Sequence, residues 1–116
     1  VQYLLLIYEN ESDFAAMSEG DKQTLFKDYH SFSASIRESG HYLGGNPLQP
    51  VATATTVRVR DGKPMITDGP FAETREQLGG YYLIEAGDLD QATGIAARIP
   101  GALTGSIEVR PIQALG

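Results

Sequence analysis

The stretch VQYLLLIYE, residues 1–9, decides how the rest of the chain must be arranged. Successive side chains of an extended strand point to opposite faces, so Tyr3, Leu5 and Ile7 share one side and Leu4, Leu6 and Tyr8 the other. Both sides are apolar, and a strand of that kind is covered on both faces. A second stretch of the same character, GGYYLIEA (79–86), sets Tyr81 and Leu83 against Tyr82 and Ile84 and is expected to be another central strand.

Helical periodicity supplies one layer of cover. Ser18 with Asp21 three positions on resembles a capping box, and Leu25, Tyr29, Phe32 and Ile36 then recur at helical spacing. The spacing predicts a helix over about 19–39, closed by Gly40 in a left-handed cap. Asp88 with Gln91 predicts a second helix, its inward stripe made by Leu89, Ala92, Ala96 and Ile99 and its end set by Pro100. Residues 9–17 read as a loop with a turn of helix. HYLGGNPLQP (41–50) reads as a connection in which Tyr42 and Leu43 contribute at most a short strand.

TATTVRVR (53–60) alternates, with Val57 and Val59 on one face and Thr56, Arg58 and Arg60 on the other, the pattern of a half-buried strand. Asp61-Gly62 suits the two positive φ values of a type I′ turn, so KPMIT (63–67) is expected to return antiparallel. GSIEVRPI (105–112) is the last strand, with Ile107 and Val109 opposed to Ser106, Glu108 and Arg110. Strand, long helix, hairpin, strand, helix, strand is read as the βαββαβ order of a ferredoxin-like sandwich, a single α+β domain over residues 1–116. Two helices cover one face of such a sheet. A second copy of the chain is the expected cover for the other, making a homodimer through the open sheet face.

Composition narrows the chemistry. Of 116 residues 41% are hydrophobic and 21% charged, which is ordinary for one globular domain. The chain has no cysteine, so disulfides, thiol nucleophiles and Cys-ligated metals fall away, and two histidines do not make a zinc enzyme; neither a metal nor a cofactor is expected. A formal charge of −6 disfavours direct nucleic-acid binding. The longest apolar run is far short of a membrane span, and no leader pattern opens the chain, so a soluble, cytoplasmic protein lacking only its initiator Met is expected.

TDGPFAETREQLGGYYLIEA (67–86), with ATTVRVRDGK (54–63) before it and GSIEVRPI after it, resembles the DGPF (DGPFAETKE) branch of the YCII-related family along nearly the whole chain. The resemblance implies a dimeric α/β barrel, in which two ferredoxin-like protomers pack sheet against sheet. The wider group is similar to small cofactor-free isomerases and monooxygenases, and a His and an Asp between sheet and helix are its implied catalytic pair. His30 stands near the position of that histidine. The carboxylate is not matched, because RIPGA (98–102) has Ile99 before Pro100, which leaves Asp68 as the best replacement. Some members of the branch are associated with sigma factors of the extracytoplasmic-function type.

Each candidate also has a plain structural role. Asp68-Gly69-Pro70 is a good turn on backbone grounds alone. Glu73 and Glu76 make an acidic solvated turn as readily as a ligand contact. Arg58, beside Arg60, forms either a polar rim or a fork for a small anion. Tyr29, Tyr81 and Tyr82 belong to the core by pattern, while a hydroxyl facing a cavity would orient a ligand. Two functions follow. One is a small-ligand-binding protein, acting as a cofactor-independent enzyme with Asp68 and His30 moving protons. The alternative is a noncatalytic module that meets a partner such as a sigma factor.

Overall fold

A computed structural model describes residues 1–115. The first strand, β1 (Gln2–Glu9), lies inside a four-stranded antiparallel sheet of order β2-β5-β1-β6, with β2 at Tyr42–Pro47, β5 at Gln77–Glu85 and β6 at Ser106–Pro111. It is bonded along both edges: Leu5 lies opposite Tyr82 on one side and Val109 on the other. Two helices, α2 (Glu19–Glu38) and α3 (Leu89–Ala96), supply the buried cover on one face; a short α1 (Glu11–Ala15) precedes them. The alternation expected of β1 is seen directly, with Tyr3, Leu5 and Ile7 buried and Leu4, Leu6 and Tyr8 only partly so.

The core forms between the buried face and the helices. Leu5, Ile36, Ile84 and Ile99 are its largest fully enclosed side chains, each stabilising the fold by about 1.5–3 kcal/mol. Tyr82 packs edge-on against Phe32, with ring centroids 5.2 Å apart, and its hydroxyl shares a 2.7 Å hydrogen bond with Ser33. The helix ends follow their capping residues. Ser18 Oγ accepts from the Asp21 N–H at 3.1 Å, and Asp88 Oδ1 accepts from that of Gln91 at 2.8 Å. Gly40 takes φ +82 just past α2.

Residues 41–50 differ from the expected connection. Tyr42–Pro47 is a full edge strand on β5, since Gly45 lets the backbone come flush against it: a Cβ there would lie 2.8 Å from the Tyr81 carbonyl oxygen and from Tyr82 Cδ1. Gly45 thus marks close contact rather than a loop. Leu89, placed in the inward stripe of the second helix by spacing, is 53% exposed; Ile95 fills that stripe with Ala92 and Ala96.

The largest difference concerns the hairpin. β3 (Thr55–Arg60) and β4 (Lys63–Asp68) pair only with each other, in a sheet of their own. The turn is as expected, with φ 52 at Asp61 and 74 at Gly62. The strand was expected to be half-buried, yet Val57 and Val59 are 60% and 61% exposed and Ile66 70%. Periodicity reported an apolar face correctly, but none of the described residues covers it. The hairpin is an arm, and the radius of gyration of 16.2 Å reflects it, since about 13 Å is usual for a compact chain of this length.

Gly79 interrupts the pairing of β5 with β1: Gly80 lies opposite Ile7 and Leu78 opposite Tyr8, leaving Gly79 as the extra residue of a bulge. Glycine at the extra position is what such a backbone irregularity favours. Leu78 thereby joins Tyr8 on the open face of the sheet. Along that face Leu4 sits between Leu83 and Arg110, and Leu6 between Tyr81 and Glu108.

The approach at Gly45 makes a direct stability prediction. Gly45→Ala forces its methyl group into backbone and ring atoms and should cost about 1–3 kcal/mol. Urea unfolding should show a lower midpoint with an unchanged slope; an unchanged midpoint would mean that β2 does not lie this close to Tyr82.

Candidate functional site

The inward parity of β1 does not stop at Ile7. It carries on to Glu9, which brings a carboxylate to the helix-covered side of the sheet end, opposite Gln77. Gly79 makes room for it, since a Cβ at that bulge would lie 2.6 Å from Glu9 Oε1. Among the described residues no hydrogen bond or ion pair compensates the carboxylate. Burial raises its pKa above the usual 4.5, and the neighbouring Glu11 pushes it in the same direction.

Tyr29 of α2 lies near enough to this carboxylate to feel its charge. Its hydroxyl accepts from the Gly101 N–H at 3.2 Å, so its own proton remains available for donation. The phenol is pushed up to about 12, chiefly by burial and then by the charge of Glu9. Gly101 belongs to a 3-10 turn, Pro100–Leu103, and has no space for a side chain: a Cβ would stand 2.6 Å from the Tyr29 hydroxyl oxygen.

Around the pair, polar side chains lock the sheet end. The Glu11 N–H donates to Gln77 Oε1 at 3.0 Å, and Glu11 Oε2 accepts from the Val51 N–H at 3.0 Å, fixing the turn Val51–Thr53 that leads into the arm. Asn10 Nδ2 donates to the Arg75 carbonyl at 3.1 Å, and Ser106 Oγ donates to Glu76 Oε1 at 2.8 Å. Next to these lies an open cleft of about 460 Å³ lined by Asn10, Asp13, Arg75, Glu76 and Thr104. An uncompensated carboxylate held partly out of water beside a neutral phenol is a competent proton acceptor and donor pair.

The model of the YCII-related domain matches residues 1–115. The chain belongs to the YCII-related family. A protein of Rhizobium meliloti (strain 1021), described only as uncharacterized, is 38% identical over 112 residues, covering 95% of this chain and 90% of the relative. No helix among the described residues of this YCII-related chain is long and apolar enough to cross a membrane.

The residues singled out from the sequence are dispersed in the YCII-related chain. Asp68 ends β4, exposed, with a side chain that makes no hydrogen bond; Gly69 beyond it takes φ +99, and its carbonyl accepts from Thr56 Oγ1 at 2.8 Å. His30 is exposed on α2, one residue from Tyr29 and likewise without a hydrogen bond. Arg58 is exposed on the arm and Glu73 on the loop that follows it. Tyr82 is buried in the core, and Tyr81 is half-exposed with its hydroxyl accepting from Asn46 Nδ2 at 3.0 Å. Of these, only Tyr29 feels the charge of Glu9. The signal that would have found Glu9 lies in the opening strand itself: two more steps of alternation from Ile7 turn a carboxylate inward.

Glu9 gives a pH-dependent signature. Its folded pKa is raised, so its contribution to stability is fully present below about pH 4.5 and is lost as pH rises through the folded value. Glu9→Gln should therefore raise the melting temperature at pH 7 and bring it level with the native protein near pH 4. Calorimetry at the two pH values checks this; a variant that melts lower at pH 7 would show that the ionised carboxylate is stabilised.

Proposed function

We propose that this YCII-related protein binds a small organic ligand at the Glu9 end of the sheet and moves a proton on it without a cofactor. Glu9 serves as acid and base, and Tyr29 donates a hydrogen bond to the ligand. The observation that carries this reading is the uncompensated, half-buried Glu9 with its raised pKa against the Tyr29 hydroxyl. A carboxylate kept nearer to neutral pH serves as both acceptor and donor.

The strand order supports a ferredoxin-like protomer, and the apolar open face at Leu4, Leu6, Leu83 and Tyr81 supports a dimeric α/β barrel in which a second copy covers it. Asp68 and His30, both exposed in the single chain, enter the reading as groups that line the ligand's route once two chains are joined.

Small carbonyl compounds and organic acids screened by saturation-transfer NMR supply the test, followed by C–H to C–D exchange of each bound compound in D2O. Glu9→Gln should slow exchange by roughly 10²- to 10⁴-fold, and Asp68→Asn should slow it less. Exchange as fast in Glu9→Gln as in the native protein removes Glu9 from the chemistry. If Asp68→Asn alone abolishes exchange, the proton transfer belongs to the DGPF loop. A screen with no bound compound favours the noncatalytic interaction module.

A further inference from the structure

The arm has two chemically different faces. Cross-strand register puts Val57 with Ile66 and Val59 with Pro64 on one side, and Arg58 with Met65 and Arg60 with Lys63 on the other. A two-stranded hairpin is marginal at best in water unless one face packs on something, and in this chain both faces are open. Phe71, just beyond the arm, is 77% exposed as well.

Three observations identify the missing cover. The first is area. The chain exposes 8130 Å², whereas a compact monomer of 12.5 kDa exposes about 6,200 Å². The excess, on the order of 1,900 Å² per chain, is the share that a protomer of an obligate homodimer buries. The second is charge. Residues 55–68 carry Arg58, Arg60 and Lys63 against Asp61 and Asp68, a net +1, so the body outside the arm carries −7. A cationic arm is thus complementary to the body of another copy of the same chain. The third is symmetry: a two-fold axis makes any contact of one arm with the partner occur twice, so a single interface covers both apolar arms.

We infer that β3–β4 is an exchange arm, whose Val57, Val59, Pro64 and Ile66 face packs against a second copy of this chain while that copy's arm packs against the first. This rests on the dimer proposed above and goes beyond it, because joining the open sheet faces does not by itself require the arm. In the exchanged dimer Asp68, which shares the apolar side of the arm opposite Thr55, is carried to the partner.

Sedimentation of the full chain across a dilution series, with hydrogen exchange followed at residues 57–66, tests it. A native dimer is expected, with exchange at these residues slowed as the dimer forms. Val57→Asp with Ile66→Asp should weaken dimerisation by about a hundredfold or more while the circular dichroism of the monomer is kept, since both positions are solvent-facing in the single chain. A native monomer at all concentrations overturns both the dimer and the exchange. A native dimer that keeps its affinity in the double variant and exchanges rapidly at 57–66 overturns the arm alone and leaves the sheet-to-sheet dimer standing. Protection of the arm that appears only on adding a different protein also overturns it. The exchange measurement needs no variant, so misfolding of the double variant leaves the inference testable.

Discussion

The structure depends on one strand that has no free edge and no polar face. β1 is hydrogen-bonded on both sides, to β5 and to β6, and its Tyr3, Leu5 and Ile7 join Tyr82 and Ile84 of β5 on the sheet side of the core. Because Leu5 and Ile84 are fully enclosed, the helices have one place to sit. A one-residue slip of β1 would exchange its two faces, but both are apolar, so hydrophobicity alone sets the register weakly. The polar Glu9 and the glycine at 79 break that near-symmetry, and the end of the strand is where register and chemistry meet.

The legible parts of the fold were those with local causes. Ser18 and Asp88 announced their helices through side chains that cap the next turn, and Asp61-Gly62 announced its hairpin through two residues that accept positive φ. Where cause and effect were far apart the reading failed. Tyr42–Pro47 looked like a connection because its Gly45 is explained by Tyr81 and Tyr82, some forty residues on. The arm looked half-buried because alternation records that a face is apolar and not what covers it. The four-stranded sheet therefore holds the glycine-rich strand in the place where the hairpin was expected.

The site was less legible than the fold. Residue types rich in chemistry, Asp68 and His30, drew attention through the sequence motif around them, yet they are solvent-facing in the single chain. Glu9 was overlooked because it ends an apolar strand and matches no motif. The role proposed for it rests on the nearby Tyr29 of α2 and on Gly101, whose N–H holds the phenol in place. Neither contact is readable from spacing, since each joins elements distant in sequence.

The bulge at Gly79 decides which solvent each of two neighbouring side chains meets. With the extra residue in place, Gln77 lies opposite Glu9 and bonds the Glu11 backbone, and Leu78 lies opposite Tyr8 on the open face. Were Gly79 instead paired regularly opposite Tyr8, the two would exchange sides: a leucine would crowd the carboxylate, and a glutamine amide would enter the apolar face. A single backbone irregularity thus acts as a sorting gate between a polar and an oily compartment. Lengthening or shortening the DGPF loop should be tolerated as long as the count from Gly79 into β5 is kept.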